Sequence, residues 1–124
     1  FILLPETDDR TELRKLIHKR FVDMVDNGLI DEVKALKNRG DLNLSMPSMR
    51  CVGYRQVWEY LDGECDLDKM IDLCVIATAQ LAKHQMTWLR GSLSKDLNYA
   101  FKTKLLIGDK NNINIVLDEI NKHF

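Results

Sequence analysis

Apolar residues recur at intervals of three and four along most of this chain, the spacing of helices that bury one face. The exception comes first. Phe1 to Leu4 is an unbroken apolar run closed by Pro5, a pattern that suits a short buried strand. Asp9 then stands as an N-cap with Glu12 at the capping-box position. Leu13, Leu16, Ile17, Phe21, Met24 and Val25 mark the inner face of a first helix, which Gly28 stops. A shorter second helix turns Leu29, Val33 and Leu36 inward and ends at Gly40; residues 41–47 form a loop containing Pro47. The third helix is predicted from about Met49 to Leu61, with Gly63 as its stop and Gly53 inside it at a cost of ~1 kcal/mol relative to Ala. Asp66 caps a long fourth helix that ends near Arg90 and turns Met70, Cys74, Ala77, Leu81, Gln85 and Trp88 inward. At ~1.5 Å per residue it is a rod of about 36 Å. Leu97 to Phe101 is predicted as a second short strand, and Ile113, Val116, Leu117 and Ile120 mark a last helix. The expected fold class is mainly α, with four to five helices and one or two short strands, in a single domain over residues 1–124. The strands would be edges of a larger sheet, leaving an exposed apolar patch.

Composition narrows the class. Of 124 residues, 45% are apolar and 30% charged, ordinary for a soluble domain with one core. Six Gly and two Pro exclude a collagen-like or low-complexity chain. No apolar run approaches the ~18 residues of a membrane span, and no basic segment leads into an apolar one, so neither a membrane segment nor a signal peptide is expected. Cys51, Cys65 and Cys74 are an odd number without C-x-x-C spacing, which points to reduced thiols in a cytoplasmic protein. His18, His84 and His123 are scattered, so no protein-built metal site is expected. The chain opens on Phe1 rather than Met, and its first residues read as a strand cut from something upstream, so a fragment of a longer protein is expected.

Eighteen Lys and Arg against nineteen Asp and Glu give a net charge of −1, so any case for nucleic acid rests on where the charge sits. No acid lies between Asp41 and Glu59, where Arg50 and Arg55 fall, or between Asp72 and Asp96, where Lys83, His84, Arg90 and Lys95 fall. Such stretches beside Tyr54, Trp58 and Trp88 can contact phosphates and stack on bases; they are equally the solvated faces of helices with core aromatics. Arg20 falls on or beside the apolar stripe of its helix. Either it lays its stem on the core with its head in water, or its guanidinium faces a cleft and binds phosphate. Gly53 either lets two helices pack closely or lets a phosphate or nucleotide approach the backbone.

Three stretches carry a resemblance. They are Met49-Arg50-Cys51-Val52-Gly53-Tyr54-Arg55-Gln56; Trp58 with Tyr60-Leu61-Asp62-Gly63-Glu64; and Ala77-Thr78-Ala79-Gln80-Leu81-Ala82-Lys83-His84-Gln85 with Thr87-Trp88-Leu89-Arg90. Together with Arg20-Phe21, Met24, Gly28-Leu29 and Glu32-Val33, they resemble the C-terminal part of the tRNA dimethylallyltransferases, also called tRNA isopentenyltransferases. The resemblance covers roughly residues 1–91. It implies an enzyme that moves a dimethylallyl group from dimethylallyl diphosphate to N6 of the adenosine 3′ of the anticodon. It implies a P-loop-type α/β fold whose nucleotide-binding P-loop, familiar from ATP-binding proteins, holds diphosphate with Mg²⁺ assisting. A helical insertion would grip the tRNA anticodon stem-loop, with the target base flipped into a channel.

Carried over by the resemblance, Arg20 is the catalytic candidate facing the diphosphate. Arg50, Cys51, Val52, Gly53, Tyr54 and Arg55 lie against the tRNA. Gln80, Lys83 and Gln85 face the substrate side or support that segment. Ala79 and His84 stand where the family usually has arginine, so tRNA affinity is expected to lean on Arg50 and Arg55. No G-x-x-x-x-G-K-[ST] occurs in the chain, and the family's general-base aspartate follows that motif. The chain alone is therefore expected to be inactive and to carry no metal site, and the enzyme to be a cytoplasmic monomer without membrane contact. Two other readings stand beside this one: a non-catalytic helical RNA-binding or interaction module, and a purely structural helical domain.

Overall fold

The computed structural model describes residues 2–6, 9–91, 102–106 and 109–123. In chain order they form strand β1 (Ile2–Glu6), helices α1 (Arg10–Asp26), α2 (Leu29–Asn38), α3 (Tyr54–Leu61) and α4 (Leu67–Arg90), strand β2 (Lys102–Leu106) and helix α5 (Asn112–His123). The fold is mainly α, with five helices and two short strands among the described residues. The chain groups into two compact units: Thr11–Leu81, and Phe1–Arg10 with Ala82–Phe124. The sequence predicts a single domain over residues 1–124.

In the unit Thr11–Leu81, each helix adds a few side chains to one core. Ile17 and Phe21 come from α1, Leu29 and Val33 from α2, Met49 from the following loop, Val57 and Trp58 from α3, and Met70, Cys74 and Val75 from α4. The punctuation is legible in the sequence. Gly28, at φ +99°, ends α1 and starts α2 in a conformation that L side chains rarely adopt. Asp66 accepts a hydrogen bond on Oδ1 from the Lys69 backbone N–H at 2.8 Å, which satisfies one orphan donor of the first turn of α4.

Three expectations need correction in this unit. The third helix starts at Tyr54, not Met49. Before it, the Met49 and Arg50 N–H groups turn back to the Met46 carbonyl at 3.0 and 3.1 Å, and Gly53 stands at the N-cap with φ +98°. Gly53 therefore carries no mid-helix cost; it makes the bend from which the helix begins. On α1, Leu16 is exposed although it falls on the apolar stripe. On α4, Met70 and Cys74 are buried and Ala77 is half-buried, but Leu81 is exposed. Periodicity marks a face, and tertiary packing decides how much of it is covered.

α2 and α3 are joined at both ends. The Tyr54 hydroxyl at the start of α3 donates to Glu32 near the start of α2, and the Lys37 ammonium near the end of α2 pairs with Asp62, the C-cap of α3. Lys37 also stands 5.3 Å from the Trp58 ring centroid. Like end meets like end, so the two helices run in the same direction.

In the other unit, β1 and β2 pair in parallel, with Ile2 opposite Lys102 and Glu6 opposite Leu106. Pro5 lies inside β1 rather than closing it at Leu4. A strand paired on one side only among the described residues has a free edge, where a missing N–H is tolerated. The expected strand at 97–101 lies outside the described residues; the strand that is described begins at Lys102. Gln85 and Trp88, expected to face inward, are exposed, Trp88 at 56%. On α5, Ile115 and Val116 are half-buried, whereas Ile113, Leu117 and Ile120 are exposed. No helix among the described residues is long and apolar enough to cross a membrane.

Candidate functional site

The segment Arg50–Arg55 forms a tight turn that feeds the first residues of α3; besides its own backbone bonds, such as Arg55 N–H to the Cys51 carbonyl at 3.1 Å, it rests on three contacts with side chains. The Gly53 N–H donates to Gln56 Oε1 at 2.8 Å in a buried position. Gln56 thus occupies the third position of the helix and reaches back to cap it, although its side chain is polar and only 2% of the residue is accessible. A Cβ placed on Gly53 would stand 3.5 Å from the Phe21 ring, so the turn lies directly on the α1 core residue. The Tyr54–Glu32 hydrogen bond is the third contact. It holds the phenol above its ordinary pKa, with burial and the neighbouring carboxylate charge adding in the same direction.

Held in this way, the turn presents Arg50, Cys51 and Val52 to solvent. Arg50 precedes α3 and does not share a helical face with Arg55, which corrects their expected placement on one helix. Arg55 is exposed and pairs with Glu59 one turn later, Nε to Oε1 at 3.6 Å. An exposed pair of this kind is weak and leaves the guanidinium available to a stronger anion. Arg55, Gln56 and Glu59 face Leu73, Ile76, Ala77 and Gln80 of α4 across a groove of about 200 Å³. Arg55 and Gln80 are thereby brought to one place. Of the two sequence readings of Trp58, a stacking aromatic or a core aromatic, the second holds: it is buried in the core under Lys37.

Arg20 is exposed on α1 and lines an open depression of about 390 Å³ with Leu16, Lys19, Asp23, Met24 and Asn27. Lys19 in that depression is already paired with Asp23 at 2.9 Å. The next residue, Phe21, points into the core and meets Gly53, so one turn of α1 supports the Gly53 bend and carries the candidate arginine. Lys83, His84 and Gln85 are exposed on the part of α4 that belongs to the other unit. Among the described residues, no three His, Cys, Asp or Glu side chains gather where they could hold a metal ion. Burial pushes the Cys74 thiol up to about 12, with smaller contributions from Cys65 and Glu59.

A family model of IPP transferases matches residues 1–92, which include the first four helices and the whole Gly53 turn. The chain belongs to the IPP transferase family. Two solved structures of similar fold bear related names. One is the full-length tRNA isopentenylpyrophosphate transferase of Bacillus halodurans, 28% identical, with a TM-score of 0.76 over 98% of this chain and 37% of that one. The other is the tRNA delta(2)-isopentenylpyrophosphate transferase of Staphylococcus epidermidis. At 23% identity and a TM-score of 0.75, over 97% of this chain and 37% of that one, it bears on the fold alone. The chain thus spans little more than a third of the length of these two proteins. The likeness to both also extends past residue 92, into the stretch where the sequence offers no distinctive motif.

Two residues that shape the site were not singled out as site candidates. Gln56 has a local signal, since Gly53-x-x-Gln56 is the spacing of an N-cap and its third-position partner. Glu32 has none, because its partner Tyr54 lies twenty-two positions away.

Proposed function

We propose that this chain forms part of a tRNA-modifying prenyltransferase that transfers a dimethylallyl group from dimethylallyl diphosphate to N6 of the adenosine 3′ of the anticodon. The observation that carries this reading is the Gly53 turn of an IPP transferase chain, which offers Arg50, Cys51, Val52 and Arg55 to solvent while Gln56, Phe21 and Glu32 fix it from behind. In the proposed reaction, N6 forms a bond to the allylic carbon as the carbon–oxygen bond to diphosphate breaks. The electron pair leaves with the diphosphate, and the N6 proton passes to a base outside these 124 residues. Arg20, with its fixed charge and planar fork of donors, offsets charge on the leaving diphosphate. Arg50 and Arg55 neutralise tRNA phosphates, while Gly53 and Tyr54 allow close approach. Gln80, Lys83 and Gln85 supply further polar contacts to the tRNA.

Mg²⁺ belongs to the family's diphosphate chemistry. The residues described here do not fit it: they bring no metal-binding cluster together, and Glu32 and Glu59, the carboxylates at the turn, are engaged by Tyr54 and Arg55. No step is assigned to the ion on this chain. The whole enzyme is proposed to act in the cytoplasm as a monomer, with the anticodon stem-loop as its macromolecular partner.

Titration of tRNA at several salt concentrations tests the reading. In the whole enzyme, Arg50→Ala and Arg55→Ala are each expected to weaken binding and to reduce the slope of log K against log[salt] by roughly 0.7–0.9, one phosphate contact each. Affinity for dimethylallyl diphosphate should hold. An unchanged slope with a lower melting temperature would make both arginines structural. tRNA binding with no prenyl transfer by the whole protein would favour the non-catalytic RNA-binding module.

A further inference from the structure

The reading of the Gly53 turn as an RNA contact leaves Glu32 unexplained. It stands in the first turn of α2, its backbone N–H bonded to the Gly28 carbonyl at 3.0 Å. The residue is exposed, and among the described residues its carboxylate pairs with no lysine or arginine. An exposed carboxylate bonded to Tyr54, the sequence neighbour of Arg55, is unfavourable for a polyanion unless it does something else there. What it does is accept the hydrogen bond of the Tyr54 hydroxyl. Tyr54 is the first residue of α3 and the direct neighbour of both Gly53 and Arg55.

On the reading proposed above, we infer that Glu32 is a positioning residue for the RNA-contacting turn, acting through the Tyr54 hydroxyl. The geometry supports this in three ways. Gly53 is held on its backbone side by Gln56 and faces Phe21, while Tyr54 is half-buried against the core and its hydroxyl reaches Glu32. The Lys37–Asp62 pair anchors only the far end of α3. The start of α3, where Arg55 leaves the helix, is thus tied to α2 by the Glu32–Tyr54 bond. A turn fixed before binding loses less conformational freedom when it grips phosphate and base. In pairing with the phenol, the carboxylate also has one oxygen turned to a donor on its own chain.

The test uses the whole enzyme and its tRNA substrate. Glu32→Ala and Tyr54→Phe are each expected to weaken tRNA binding about threefold to tenfold, the usual reach of one hydrogen bond. The salt slope should stay at the wild-type value, because no phosphate contact is removed. The double variant should bind no worse than either single one, since both remove the same bond. Glu32→Gln, whose amide oxygen still accepts the phenol proton, should recover binding to within about twofold. Tighter binding by both Glu32→Ala and Glu32→Gln would show that Glu32 acts only as a repelling charge, and would overturn the inference. A lower melting temperature with unchanged tRNA affinity would overturn it as well, leaving a structural tether. The arginine variants separate the two layers. If Arg50→Ala and Arg55→Ala weaken binding while the Glu32 variants do not, only the positioning role falls. If the arginine variants leave binding and salt slope untouched, the RNA reading of the turn fails and the inference fails with it.

Discussion

Gly53 combines φ +98° with ψ −62°, a region in which a side-chain-bearing residue is strained whatever space surrounds it. The space itself is adequate, since the nearest Phe21 atom to an added Cβ is at 3.5 Å, an ordinary contact. Gly53→Ala should therefore destabilise through the backbone, by about 1–3 kcal/mol. A thermal melt should show a fall of several degrees, and an unchanged melting temperature would mean that the turn does not need positive φ. A glycine inside an apolar stripe reads as a helix residue, and only the third-position Gln56 announces the start of the helix in the sequence itself.

Thiol chemistry is sorted by burial at the same scale. Cys51 is exposed, whereas Cys74 is fully buried and its thiol is pushed up to about 12 from an ordinary value of 9.0. A group whose folded pKa is raised favours its protonated form in the fold. Its contribution is whole below pH 9 and is lost as pH rises through about 12. Tyr54, raised by its bond to Glu32, adds to the same alkaline loss above its ordinary value of 10.0. Urea midpoints should fall between pH 9 and 12, less steeply in Cys74→Ala. At pH 8 a thiol reagent should label Cys51 in the folded protein and Cys74 only after unfolding. Equal labelling of both cysteines would contradict the packing of α4.

At the scale of elements, the ends of helices are the most legible features. Asp66 was expected as the cap of the long helix, and its bond to the Lys69 N–H is present at 2.8 Å. Asp66→Ala should cost about 1 kcal/mol and Asp66→Asn much less, read as loss of helical signal in thermal melts. Equal melting of the two variants would place the start signal of α4 elsewhere. What the sequence hides is how elements meet. Leu81, Gln85 and Trp88 share the periodicity of Met70 and Cys74, yet they are exposed. The pairing of Lys37 with Asp62 spans twenty-five positions, and no local pattern announces it. Pro5 shows the converse: a rule that ends strands gives way where, among the described residues, a strand is paired on one side only.

For the molecule as a whole, the helical class and the family were legible, the family because R-C-V-G-Y-R-Q is a long and specific string. The division into two units was not, because it depends on contacts between residues far apart in sequence. The purified 124-residue chain, offered dimethylallyl diphosphate and tRNA, is expected to yield no prenylated adenosine by mass spectrometry of the digested tRNA. Any such product would show that the missing P-loop is dispensable. The parallel pairing of β1 with β2 also has a consequence for how the protein is made. Ile2–Glu6 is synthesised before its partner Lys102–Leu106, with the whole of residues 7–101 between them. At roughly 5–20 residues per second, β1 waits on the order of 5–20 s for its partner. Contacts in Thr11–Leu81 are closer in sequence and close sooner, so the helical unit is assembled during that wait. Until then Ile2–Glu6 lacks its β2 partner, and an unpaired strand edge of that kind is exposed to aggregation.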